Sequence, residues 1–259
     1  MIKHTIREYR PNELYASQWL DIFINQAMFT DNQNSFKAEP TLTELIDNNE
    51  RILKSRIKKV TINRFVDMIL IQDKHKKYVN ILRALVNCDG EAIVSNQGEI
   101  SKLLLEDMDT KYSLLHALRV SDSESGEVEI HVYEKWMLLS DFEGESEEKA
   151  DELFEFFYHM ILLLSDLCLN RNFTAIHPLS DLFPFELCFK IISGNYMVNL
   201  RHAFLRLTIT LWIDRDFTKI TLPNKIRIWT RLGEDSQVIL TNNSTENYHE
   251  LKGFVLEYL

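Results

Sequence analysis

Glycine and proline are scarce: 7 and 5 copies among 259 residues, well under half the usual share of about 12% for the pair. A chain of short strands joined by tight turns needs more of both. The shortage therefore disfavours an all-β architecture and favours long helices. Cysteine is also sparse. Its three copies, Cys88, Cys168 and Cys188, stand in separate apolar segments with no CxxC pair, the usage of reduced, buried thiols in a cytosolic environment. No run of about 18 uncharged apolar residues occurs; Met160–Leu169 comes nearest and is cut by Ser165 and Asp166. Residues 1–8 lack the apolar stretch of a secretory signal. The expectation is a soluble chain with no direct membrane insertion.

Several chemistries lack their residues as well. Neither GxSxG nor a cysteine in a glycine-rich turn is present, which leaves no candidate nucleophile. The eight histidines never form HExxH or paired metal spacing, and there is no Walker loop and no GxGxxG. No enzyme, no metal site and no cofactor are expected. With 29 basic against 39 acidic side chains the net charge is −10, which opposes nucleic-acid binding because phosphates repel an acidic surface.

What is present is a core. Hydrophobic residues make up 45% of the chain and aromatics 11%, enough for a globular protein that buries roughly three quarters of its unfolded surface. Asn12 to Phe29 places Leu14, Tyr15, Trp19, Ile22, Phe23 and Ala27 at spacings of three and four, which predicts an amphipathic helix. Pro40 and Thr41-Leu42-Thr43-Glu44 supply entry and capping chemistry for a second helix to about Arg56. A third, Thr61–Ile71, carries Ile62, Phe65, Val66, Ile69 and Leu70 on one stripe. A fourth, His75–Cys88, carries Tyr78, Val79, Leu82, Leu85 and Val86. Cys88-Asp89-Gly90 ends it with the glycine a left-handed C-cap prefers, and Ser95-Asn96-Gln97 opens the next, which includes Ile100, Leu103, Leu104 and Leu105.

The period changes near Leu118–Leu139, where Val128, Ile130, Val132 and at the margin Tyr133 alternate with polar residues after a turn at Ser121–Gly126, the pattern of a short strand or irregular insert. Helix returns with carboxylates at Glu145–Glu152 and the strongly apolar Leu153–Leu169, then Leu179–Ser193, Asn199–Ile213 and a short pattern at Tyr248–Leu259. Short connections between successive amphipathic helices suggest an all-α stack of helical hairpins of the armadillo or HEAT sort, with the insert near 118–139.

Three charged features carry both a bland and a sharp reading. The acidic run Asp141–Glu155 lacks the spaced loop and central glycine of a calcium site and reads as a solvated helix start. The basic clusters Lys54–Lys59 and Lys74-His75-Lys76-Lys77 could meet phosphate, but helix ends and solvated faces commonly carry such charge. Asp214-Arg215-Asp216 reads as an arginine held between two carboxylates at a helix end.

Two N-terminal blocks, Thr41–Asn49 and Cys88–Gln97, resemble the homology region shared by inositol trisphosphate receptors and ryanodine receptors. Leu167–Ile176, Asn199–Phe204, Trp212–Asp216 and Leu222–Lys225 look like the same family in the same order, so the likeness runs from about Tyr9 to the C-terminus. Asn96-Gln97 looks closer to ryanodine receptors; Asn48-Asn49 and Asp214-Arg215-Asp216 look more like inositol trisphosphate receptors, which are favoured.

The resemblance implies an armadillo-like α-solenoid from the cytosolic assembly of a tetrameric calcium-release channel, on the cytosolic side of the endoplasmic reticulum. Residues 1–30 would end the helical part of the ligand-binding core, and residues 31–259 would form the RIH, armadillo-like domain. The implied role is non-catalytic: packed helices relaying ligand-induced movement toward the pore, with neighbouring channel domains and subunits as partners. In that family a Tyr-Arg-Lys triplet helps hold the phosphates, and Tyr9-Arg10-Pro11 occupies its place here. Tyr9 and Arg10 keep a hydroxyl donor and a planar fork suited to phosphate oxygens, while Pro11 removes a charge and an N–H. Tyr9 reads equally as a cap before the helix at Asn12. Inositol 1,4,5-trisphosphate is an expected partner only in a longer chain that includes a β-trefoil. The rival reading is a free-standing helical-repeat module that binds proteins on its concave face.

Overall fold

A computed structural model of the chain describes residues 2–7, 9–28, 38–47, 49–71, 74–106, 114–121, 126–144 and 148–214. The expected pattern at Tyr248–Leu259, the Leu222–Lys225 block and Arg215-Asp216 lie outside these residues. Helix dominates, with a small β insert, as the breaker shortage predicts.

The N-terminal group comprises α1 (Ile2–Ile6), α2 (Arg10–Ala16), a 3-10 turn (Ser17–Trp19), α3 (Leu20–Met28), α4 (Ala38–Ile46) and α5 (Glu50–Ser55). The middle comprises α6 (Lys59–Ile71), α7 (Lys76–Val86), a hairpin of β1 (Asn87–Cys88) and β2 (Glu91–Ala92), and α8 (Val94–Leu105). A three-stranded antiparallel sheet follows, with β3 (Leu118–Val120), β4 (Val128–Val132) and β5 (Lys135–Leu138) in the order β3-β4-β5. The last group is α9 (Leu139–Gly144), α10 (Glu148–Cys168), α11 (Phe173–Leu182), α12 (Phe185–Ser193) and α13 (Val198–Thr208), which ends in a π turn at Ile209–Ile213.

The longest helix, α10, lies between α7 and α13; α7 also packs on α4, α6 and α8, and α13 on α12. The α6 and α7 stripes read from the sequence face inward: Ile62, Phe65, Val66, Ile69, Tyr78, Val79, Leu82, Leu85 and Val86 are all buried. The sheet packs on the last helical group, with α9 against β4 and β5 and α12 against β4. Val128, Ile130 and Val132 turn inward as their alternation requires, at roughly 1.5–3 kcal/mol for each such side chain.

Four local expectations are corrected. The second helix is two, because Asn49 leaves the helical region and its side chain accepts from the Ile52 N–H to cap α5. Leu179–Ser193 is likewise divided at Phe183-Pro184: Pro184 restricts the residue before it and stands at the N-cap of α12. Asp89-Gly90 is not a helix C-cap. Both residues have positive φ, 52° and 88°, and form the two-residue loop of the β1–β2 hairpin, the conformation in which Asp-Gly is favoured. The first helix is rotated about its axis from the predicted stripe: Leu14, Phe23 and Ala27 do pack on the core, but Tyr15, Trp19 and Ile22, expected inside, are at least half exposed, while Glu13, Ser17, Leu20 and Ile24 are buried.

Candidate functional site

That rotation brings a polar contact inside. Glu13 is only 3% exposed, and its Oε2 accepts from Arg10 Nη1 at 2.8 Å and from Asn49 Nδ2 at 2.6 Å. A buried carboxylate must be paired, and these two donors from α2 and the start of α5 do so. Asn12 ties α2 to α1 by donating to the Thr5 carbonyl at 2.8 Å. Pro11 stands at the second position of α2, where the missing N–H costs no intrahelical bond. The hydrogen bond to Glu13 raises the Arg10 guanidinium further above its already high range.

Tyr9 occupies the N-cap of α2 with extended backbone, makes no side-chain cap bond and is more than half exposed. Arg10 reaches the wall of a cavity of about 380 Å³ together with Leu14, Asn49, Glu50, Arg51, Cys88 and Asp89. Tyr9 is not among its lining residues. Two arginines and two carboxylates balance there, so the cavity offers an oxyanion no net positive charge. Burial and Asp89 push the Cys88 thiol up, which keeps it neutral and unreactive.

A second polar centre was missed by sequence reasoning. Asp166, 1% exposed in the last turn of α10, accepts from Arg83 Nε at 2.8 Å, Arg206 Nη2 at 2.9 Å and Asn87 Nδ2 at 3.1 Å. Its backbone carbonyl accepts from Gln97 Nε2 at 3.2 Å, and the same nitrogen donates to Leu169 O at 2.9 Å. Asn96 donates to the carbonyls of Leu85 at 2.9 Å and Leu53 at 3.4 Å. Thus Asn96-Gln97 is a buried clamp that joins α8 to α5, α7 and α10. The available signal was one carboxylate inside an otherwise apolar helical stripe, which demands a cationic partner elsewhere. Among the described residues no group of three or more His, Cys, Asp or Glu is placed to hold a metal ion, and no helix is long and apolar enough to cross a membrane.

Residues 1–119 match the RIH domain family. The chain is 25% identical over 255 residues to the inositol 1,4,5-trisphosphate receptor itr-1 of Caenorhabditis elegans, an alignment covering 92% of this chain and 8% of that protein. It is 26% identical over 170 residues to the inositol 1,4,5-trisphosphate receptor-like protein A of Dictyostelium discoideum, covering 64% of this chain and 5% of that protein. The chain therefore spans less than a tenth of the length of these relatives.

Proposed function

From this relationship to inositol trisphosphate receptors along most of its length, we propose that the chain is a non-catalytic cytosolic segment of an intracellular ligand-gated calcium-release channel. In this reading residues 1–30 close the helical part of a ligand-binding core, and residues 31–259 form an armadillo-like solenoid that relays ligand-induced movement toward the pore. Tyr9 and Arg10 contribute to holding inositol 1,4,5-trisphosphate only when a β-trefoil completes the site. Neighbouring channel domains and subunits of a tetramer at the cytosolic face of the endoplasmic reticulum are the remaining partners.

The observation that carries the reading is the alignment with a named receptor over 92% of the chain. The geometry supports it: buried polar ties run from Arg10 through Glu13 and Asn49, and separately through Asn96, Gln97 and Asp166, so neighbouring helices are coupled by directional bonds as well as by packing. The exposed stripe of Tyr15, Trp19 and Ile22 favours a second reading, a free-standing protein-interaction module.

The size of the native product separates the two. An antibody raised against this chain should detect a channel-sized polypeptide that sediments with endoplasmic-reticulum membranes. A product confined to 30.6 kDa would refute the channel segment and leave the module.

A further inference from the structure

The most one-sided charge in the molecule lies at the corner between α5 and α6. Arg51, Lys54, Arg56, Lys58, Lys59 and Arg64 follow one another with no acidic residue between them, in a chain of net charge −10, and all six are exposed. Lys54 pairs with Glu50 and Lys59 with Glu99, while Arg64 donates to the Asn25 side chain. Arg51, Arg56 and Lys58 have no side-chain partner among the described residues. Lys58 and Lys59 stand at the start of α6, whose first turn holds no acidic residue, although the positive end of a helix dipole disfavours cations. Beside them Val60 is 62% exposed. Local preference is thus violated twice at one exposed turn, by cations at a helix start and by an uncovered apolar side chain.

We propose that this corner docks on an anionic lipid surface. Clustered cations lower the energy of approach to such a surface by roughly the same increment each, and an apolar side chain among them gains by reaching the boundary between headgroups and acyl chains. A nucleic acid would use the cations but leave Val60 in water.

The test uses the whole chain and extruded vesicles of phosphatidylcholine, alone or with added phosphatidylserine. Binding should require the anionic lipid and weaken as salt rises. Replacing Arg51, Arg56 and Lys58 together by glutamine should weaken it about a hundredfold, at about fivefold per cation, and Val60→Ser should weaken it several-fold. Lys135→Gln, an exposed change on the sheet, should leave it unaltered. Because all these side chains are solvated, each variant should keep the parent melting temperature. Failure to bind anionic vesicles, equal binding to neutral ones, an unaffected triple variant, or tighter binding of polyglutamate or RNA than of vesicles would each overturn the proposal.

Discussion

Arg83 Nε donates to Asp166 Oδ2 at 2.8 Å, and this contact, made between α7 and α10, lies at the meeting point of four elements. Arg206 and Asn87 complete the donors to the same carboxylate. Two arginines on one acid leave a positive excess, which Arg83 and Arg206 relieve by keeping part of each side chain in water, 22% and 34% exposed. An apolar trio could fill the same space, so the centre is better understood as fixing which turn of α10 meets which turn of α7 and α13.

Asp166→Ala should destabilise the chain by about 3–5 kcal/mol, because it strands two arginines and Asn87 with no acceptor. The triple replacement Arg83→Met, Asp166→Leu, Arg206→Met should lose much less. Urea midpoints at constant slope measure both; a loss under about 1 kcal/mol in the single variant would show that water already satisfies the arginines.

Phe204 shares a stripe with Leu200, Leu207 and Leu211, all fully buried. Its ring meets Phe157 and Phe183 at centroid distances of 6.3 Å. Phe204→Ala should cost about 3–5 kcal/mol through lost burial and an unfilled cavity. An unchanged denaturation midpoint would contradict that packing.

His116 supplies a pH dependence. Its Nδ1 lies 3.2 Å from the His131 carbonyl, which can only accept, so Nδ1 carries the proton and Nε2 is a buried acceptor with no partner among the described residues. Burial, assisted by Lys74, pushes the imidazole down to about 4 from an ordinary 6.5. The folded state therefore binds the proton less readily than the unfolded one. Its contribution is fully present above pH 6.5 and is lost as pH falls from there toward 4, by on the order of 3 kcal/mol. Burial lowers His159 too, in the same direction. Comparing His116→Phe with the parent isolates the first: the variant should unfold at similar urea concentration at pH 7.5 and at a higher one at pH 4.5. Parallel pH profiles would remove His116 from the account.

Periodicity found the α6 and α7 stripes and the inward strand residues because burial there follows side-chain polarity. On α2 and α3 it found Leu14, Phe23 and Ala27 but missed the direction of the stripe, because at two positions burial follows pairing. Glu13 and Ser17 look solvated in sequence, but Glu13 is held by Arg10 and Asn49, and the Ser17 hydroxyl donates to the Leu14 carbonyl at 2.7 Å. Once they turn inward, Tyr15, Trp19 and Ile22 must turn out. The break at Asn49 was legible in principle, since an asparagine just before an apolar turn is cap chemistry, but Thr41-Leu42-Thr43-Glu44 offered a competing start further upstream. The loop between β4 and β5 gave no signal at all: Tyr133 and Glu134 adopt φ of 52° and 60°, values that favour glycine or asparagine. At the candidate ligand site the sequence located Arg10. It could not show that a buried acid, Glu13, would already hold it.

Arg10 and Pro11 supply the decisive test of the ligand site. Because Arg10 is engaged by Glu13 and the adjoining cavity balances Arg10 and Arg51 against Glu50 and Asp89, the chain alone should show no submicromolar affinity for inositol trisphosphate. In a longer chain that restores a trefoil and the upstream helices, Arg10→Gln should weaken binding by roughly 1.5–3 kcal/mol, the scale of a charged hydrogen bond. Pro11→Lys should strengthen it. Position two of α2 needs no N–H bond within the helix, so the backbone accepts the exchange, and the gain should shrink with salt because the position is exposed. Calorimetric titration of parent, Arg10→Gln and Pro11→Lys reads all three effects. Equal affinity of parent and Arg10→Gln would remove Arg10 from the site and leave it, with Glu13 and Asn49, as the bracket that joins α2 to α5.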